Sequence, residues 1–297
     1  MPLDLHRLTH ELQNSSVGHT IDYHHSIPST MPIAHELVMQ PQVRSGTIVV
    51  AEEQTAGRGR LQRQWEAPIG EALLVSIILR PPFLVAPTQL PMLAGVAAVD
   101  ALAASAPTLT RQVGLKWPND VLLGHNLEDA SKVAGILLES TFQQADVYYV
   151  ILGIGINVNQ TATSLPFGQL GAPRPTSLRL YTGQLFDRTE LLIALCRSLS
   201  EQLTGYQPVH GHQLAAQVAP QHAPQPNAEL TAAWRSRLWT LGHWVSVREN
   251  LAGDPIFGGW AVDVTADGCL VIEDENRVRL AFAAGDVSIR TGSPSPF

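Results

Sequence analysis

The pattern of apolar and polar positions divides the chain into two unequal parts. Up to about residue 240, apolar runs of strand length alternate with stretches of helical period, the signature of a sheet that carries helices. Ala72 to Leu79 (ALLVSIIL) is apolar on both faces and predicts a strand covered on both sides. Shorter apolar runs predict strands at Ile21–Tyr23, Thr47–Val50, Val113–Trp117, Val121–Leu123 and Lys132–Leu138, with another over Tyr148–Val158. Helical spacing predicts helices over Gln89–Ala104, from an Asp187 cap through Ser200, and over Ala228–Leu238. A shorter helix is predicted from about Pro32 to Met39, because Ser29 and Thr30 precede a proline in the first turn. Leu5, Leu8 and Leu12 suit one side of a short helix within an N-terminal tail, residues 1–20. Beyond Leu241 the period changes to two, and the segments WVSV, GWAVDV, GCLVIE and RVRLAF are separated by turn residues. The chain therefore reads as an α+β domain over 21–240, a small antiparallel barrel over 241–291 and a loose tail over 292–297.

Two interruptions of these patterns point to chemistry. In Gly153-Ile154-Gly155-Ile156-Asn157-Val158-Asn159, glycine and asparagine alternate with aliphatics at the strand period. One face is then nearly bare backbone, which marks a place where a ligand lies against a sheet. A bend or bulge accounts for the glycines equally well, but not for the asparagines. The second interruption is Ala51–Trp65 (AEEQTAGRGRLQRQW), where Gly57 and Gly59 are interleaved with Arg58, Arg60 and Arg63. Guanidinium forks fit phosphate and carboxylate oxygens, and the glycines permit a loop that orders over an anionic substrate. Taken alone, this loop and a solvated arginine-rich hairpin carry equal weight. Lys116 and Lys132 each stand at the entry to an apolar strand; for Lys116 a snorkelled ammonium or a structural salt bridge is favoured.

Composition narrows the partners. The chain has 297 residues, is 45% hydrophobic, and carries 19 basic against 26 acidic side chains, a net charge of -7. A general nucleic-acid binder has the opposite balance, so no DNA partner is expected. Cys196 and Cys269 lack metal spacing and read as buried thiols. His210, His212 and His222 fall in a Gln/Pro/His/Ala-rich stretch that reads as irregular surface. The first residues lack the apolar core of a signal peptide, and the best apolar run, Pro91–Ala104, is broken by Asp100. A cytoplasmic protein without a membrane partner is expected.

Taken together, AGRGRLQRQW, KWPND, KVAGILLE and GIGINVN resemble the biotin–protein ligase family, also called biotin–[acetyl-CoA-carboxylase] ligase, over about Ile21–Arg290. The resemblance implies a mixed-sheet catalytic domain related to lipoate ligases and class II aminoacyl-tRNA synthetases, followed by an SH3-like β-barrel. It implies ATP, Mg2+, free biotin and a biotin carboxyl carrier protein of acetyl-CoA carboxylase. By the same resemblance Ser29, Thr30, Gln54, Gly57, Arg58, Lys132 and Gly155 hold biotin, with Met31 where the family usually has asparagine. Arg58, Arg60, Arg63, Trp65, Trp117, Asn119, Asp120, Lys132 and Asn157 fall on the ATP and adenylate side, and Asp120 and Asn157 are the candidate Mg2+ ligands. Lys132, Arg58 and Arg60 carry catalysis by positioning and charge, with no protein nucleophile. Asp120 is a candidate helper for the incoming amine, and an exposed strand edge is the expected dock for the carrier. The first 20 residues are too few for the winged helix of repressor members. Monomers and homodimers through sheet edges both remain open.

Overall fold

The computed structural model describes residues 2–60, 63–143, 146–166, 172–205, 225–248, 254–283 and 285–289. The histidine-rich stretch and the C-terminal tail predicted above lie outside the described residues.

The chain begins with α1 (Leu5–Leu12), β1 (Ile21–Ile27), α2 (Thr30–Leu37) and β2 (Ile48–Gln54). A two-rung hairpin follows, β3 (Gly57–Arg58) with β4 (Gln64–Trp65), and then β5 (Ala72–Leu79) and α3 (Leu90–Ser105). Next come β6 (Val113–Lys116), β7 (Asp120–Leu123), β8 (Ser131–Gln143) and β9 (Asp146–Asn157). Strands β1, β2, β5, β9, β8, β7 and β6 form one sheet in that order, parallel only between β1 and β2. All eight positions of β5 are buried, as its unbroken apolar sequence predicts for a strand in the interior of a sheet.

The helices explain which face is which. Leu73, Val75, Leu152, Ile154 and Ile156 join the large core beneath α3 and α5 (Arg188–Gly205), together with Leu191, Leu192 and Leu195. The stretch 87–105 is long and apolar enough to cross a bilayer, but α3 is buried nearly all round and serves as the core helix. On the opposite face α2 covers a smaller cluster of Met31, Ala34, Val49, Ile78 and Ile151, leaving the rest of that face open.

Several boundaries differ from the sequence reading. Helix α2 starts two residues before Pro32, with Ser29 in the N-cap position but making no side-chain cap bond. Strand β8 runs five residues past Leu138, because its partner β9 continues the ladder through Ser140–Val150 and Thr141–Tyr149. Short α4 spans Leu178–Thr182, and α6 (Ala228–Arg235) stops before Leu238, where the backbone instead pairs with Leu115. The first 20 residues are not a separate tail: Leu8 and Leu12 are buried, and the Leu3 amide donates to Glu52 Oε1 at 2.7 Å.

The C-terminal part forms a second, antiparallel sheet from β10 (Trp244–Arg248), β11 (Phe257–Val264), β12 (Leu270–Glu273), β13 (Arg279–Phe282) and β14 (Asp286–Ile289). Its order is β13-β12-β11-β10-β14, and β13 and β14 stand at opposite ends, so among the described residues the expected barrel is an unclosed sheet. Side chains of the first domain tie it down, among them Trp117, which donates its indole N–H to Gly268 O at 2.9 Å, Gln89, whose Nε2 donates to Ala266 O at 3.1 Å, and Arg235, whose Nε donates to Asp263 Oδ1 at 2.7 Å.

Candidate active site

The open part of the sheet face becomes a cavity because its floor has no side chains. Gly153 and Gly155 of β9 face the same way, and Gly135 of β8 pairs directly with Gly155. A Cβ on Gly155 would stand 2.6 Å from the indole of Trp65, and one on Gly135 would stand 2.9 Å from the same ring. Only glycine admits this contact. Gly135, inside the strand sequence KVAGILLE, is a signal of the same kind as the alternating glycines of β9.

A bulge aims the key lysine. The β7–β8 register shifts between Val121 and Leu122, so Val121 pairs with Ala134 while Leu122 pairs with Lys132. Val133 and Ala134 therefore both enter the core, and Lys132 and Gly135 both face the cavity. Without the extra residue, strict alternation would turn Lys132 to the other side.

Lys132 Nζ lies 2.5 Å from Asp120 Oδ1 and 5.7 Å from the centroid of the Trp65 ring. Burial pushes the Asp120 carboxyl up, but Lys132, Lys116 and Arg63 outweigh it and hold the group below the usual carboxylate range. Lys116 is 6% exposed, so it does not snorkel; its charge instead acts on Asp120, its partner across the β6–β7 ladder.

The arginine loop is the β3–β4 hairpin, with Gly59 N–H donating to Arg63 O at 2.7 Å. A Cβ on Gly57 would stand 2.4 Å from Trp65 O, so Gly57 supports the hairpin from behind. Arg60 Nη1 reaches Asn119 Oδ1 at 3.4 Å, and Asn119 Nδ2 donates to Ile136 O at 2.7 Å. The KWPND turn thus fastens the hairpin to β8.

At the other end the cavity is neutral and polar. The Thr30 amide and hydroxyl both donate to Gln54 Oε1, at 2.7 and 3.0 Å. Ser29 Oγ is buried without a partner, as is the Trp65 indole nitrogen. Met31 is 4% exposed with its sulfur against Gly153, so this position packs rather than hydrogen-bonds.

The cavity is lined by Ser29, Thr30, Gln54, Arg58, Arg60, Arg63, Trp65, Asn119, Asp120, Lys132 and Gly155, among others. A second cavity adjoins it, sharing Arg63, Gln64, Trp65 and Lys132 and adding Glu66, Asn157 and Pro173. Along β9 the order is Met31 over Gly153, Trp65 over Gly155, and then Asn157 at the second cavity.

Two expected site residues, Gly57 and Trp117, line neither cavity, and Asn157 reaches only the second. Trp117 is 1% exposed, lines neither cavity, and spends its N–H on Gly268. Asn157 borders the second cavity but is 4% exposed; its amide donates to Thr176 O, and Oδ1 accepts from Gln160 at 2.9 Å. That pairing does not suit a metal ligand. Among the described residues no group of three or more His, Cys, Asp or Glu could hold a metal. Of the two expected Mg2+ ligands, Asp120 is the one whose carboxylate suits the ion, which commonly takes one or two carboxylates and completes its shell with phosphates and water.

A fold of this kind, with a glycine-floored cavity joining a neutral pocket to a lysine–aspartate pair, defines the class that the matching sequence profiles describe. The biotin/lipoate A/B protein ligase family matches residues 23–157, and the biotin protein ligase C terminal domain matches residues 240–290. The chain is 31% identical over 92% of its length to the bifunctional ligase/repressor BirA of Bacillus spizizenii, covering 75% of that relative. It is 30% identical to a biotin--[acetyl-CoA-carboxylase] ligase of Mycobacterium tuberculosis, over 82% of this chain and 78% of that one. The crystal structure of a biotin protein ligase from Aquifex aeolicus, in complex with biotin and ATP, superposes with a TM-score of 0.65 at 27% identity, covering 92% of this chain and 99% of that one. The chain belongs to the biotin protein ligase family.

Proposed function

We propose that the protein activates biotin as biotinyl-5'-AMP at the expense of ATP, releasing pyrophosphate, and then transfers biotin to a lysine of a biotin carboxyl carrier protein of acetyl-CoA carboxylase. The observation that carries this reading is the place of Lys132 at the junction of the two cavities, beside Asp120. The neutral end, with Ser29, Thr30 and Gln54, suits a small polar head group, and the second cavity suits the nucleotide.

A carboxylate is a poor acyl donor because oxide would have to leave. Attack of its oxygen on the α-phosphorus of ATP breaks the bond to pyrophosphate and makes AMP the leaving group. Two anions must meet, so a cation between them lowers the barrier most. Lys132 exchanges Asp120 for the two incoming anions, and Arg58, Arg60 and Arg63 add charge from the hairpin. Mg2+ would be held by Asp120 and supplies charge neutralisation at the phosphates. The hairpin shields the mixed anhydride from water until an amine attacks its acyl carbon. Asp120, held anionic, is a weak base; it suits orienting an ammonium or a metal better than taking a proton.

The carrier dock is an open edge. On its β7 side, β8 is paired only as far as Gly135, so the backbone from Leu137 onward has no neighbouring strand among the described residues. Strand addition there would supply main-chain pairing. The Ile136 amide donates toward the β7 side, to Asn119 O, so by strand alternation the Ser140 amide faces the open edge. Ser140→Pro removes that edge donor, and the KM for carrier rises while adenylate formation does not; an unchanged KM puts the dock elsewhere.

The decisive test supplies purified protein with ATP, Mg2+, biotin and carrier, and looks for one biotinyl mass on a carrier lysine. Modification by lipoate or octanoate with none by biotin would turn the reading to the related ligases, which share the fold.

A further inference from the structure

One hydroxyl beneath the neutral pocket is wired to its side chains without lining the cavity. Ser76 lies in the middle of β5, paired with Val49 of β2 and Gly153 of β9, and is 0% exposed. Its Oγ is 2.7 Å from Thr30 Oγ1.

The direction of each bond follows from what each atom can do. The Thr30 backbone N–H is a donor only, so the Gln54 atom 2.7 Å away is Oε1, and this orients the amide. The single hydroxyl proton of Thr30 is directed at the same Oε1, at 3.0 Å. Ser76 must then be the donor to Thr30 Oγ1. The outcome is a defined pattern facing the ligand: donors on Gln54 Nε2, a remaining lone pair on Thr30 Oγ1, and the unpartnered Ser29 hydroxyl.

We propose that Ser76 is a positioning residue that sets this donor–acceptor pattern and selects a head group with a carbonyl acceptor beside N–H donors. A cyclic urea has that chemistry; a dithiolane ring does not. The inference rests on the biotin reading above. With the Ser76 hydroxyl gone, Thr30 Oγ1 loses its donor, its own proton is free to leave Gln54, and a single bond holds the amide.

The test uses the full chain, with calorimetry of biotin binding and steady-state kinetics against biotin, ATP and lipoic acid. Ser76→Ala raises the Kd and KM for biotin about tenfold, as loss of one buried hydrogen bond predicts. The KM for ATP changes less than about twofold, and the preference for biotin over lipoic acid falls with the biotin affinity. Ser76→Cys fills the same space with only a weak donor and follows Ser76→Ala; it also carries the test should the alanine variant fail to fold. In a Thr30→Val background Ser76→Ala adds nothing, because the path through Thr30 is already cut. Wild-type behaviour of Ser76→Cys, a parallel rise in the KM for ATP, or additive effects of the two substitutions would each overturn the proposal. If the wild-type chain binds no biotin, the biotin reading falls and takes the proposal with it; if wild type binds and Ser76→Ala binds equally, only the proposal falls.

Discussion

The two ion pairs Arg188–Glu52 and Lys132–Asp120 are alike in chemistry and opposite in setting. The first is sealed, with both side chains 2% exposed and an Nη2–Oε2 distance of 2.6 Å. Other polar atoms of the pair are engaged as well: Glu52 Oε1 accepts from the Leu3 amide and the Tyr23 hydroxyl, and Arg188 Nη1 donates to Ala72 O. The second pair borders the cavity at 25% and 12% exposure, with the face of Trp65 over the lysine. A sealed pair is hard to break and serves the scaffold; a pair at a cavity wall can trade partners with an incoming anion. The difference separates structure from function better than charge alone.

Each half of that comparison can be broken separately. The largest effect is expected at the sealed pair. Glu52→Ala leaves Arg188 buried without its carboxylate and costs about 3–5 kcal/mol, a fall in Tm on the order of 10 °C by calorimetry. The same pair governs acid stability. Burial pushes the Glu52 carboxyl up, but the Leu3 amide, Arg188 and Tyr23 outweigh it and hold it below its ordinary 4.5. A depressed folded value means that the stability is fully present above the ordinary value and is lost as pH falls through the folded one. Acid melts of Glu52→Gln should lack that component; an identical acid limb would show that the pair is not what fails.

Next in size is Lys132→Ala. Pyrophosphate release with biotin and ATP should drop about 10²- to 10³-fold, while Tm falls by less than half the Glu52→Ala shift. Near-normal release would remove Lys132 from the chemistry. The smallest effect sharpens the cavity side alone. Arg60→Ala frees one partly exposed contact to Asn119, and leakage of adenylate relative to carrier modification should rise about three- to tenfold. Unchanged leakage would mean that the hairpin is no lid.

Much of the site was legible because it breaks local rules. Alternating glycines in β9 and arginines interleaved with glycines at 57–63 break the core pattern, the other motifs are what set the loop apart from a solvated hairpin, and most of the expected residues line one cavity. The rest depends on tertiary register. The bulge that turns Lys132 inward leaves no mark in KVAGILLE, because Val133 and Ala134 are each ordinary core residues. Asn157 reads as a ligand-facing amide, yet Thr176 and Gln160, 19 and 3 residues away in sequence, claim its polar atoms. The Glu52–Arg188 pair spans 136 residues, and a glutamate after an apolar strand gives no hint of so distant a partner. The full length of β8 is hidden in the sequence because its last residues, ESTFQ, are mostly polar and are paired with β9.

Trp117, expected on the adenylate side by resemblance, serves in this structure as a tether. Its indole hangs from Gly268, and its backbone N–H hangs from Thr240 Oγ1 at 2.9 Å, only three residues before Asp120. The smaller sheet therefore acts as a bracket on the turn that carries the acid. Any swing of that sheet would pull the carboxylate relative to Lys132, so a surface remote from the chemistry has leverage over it.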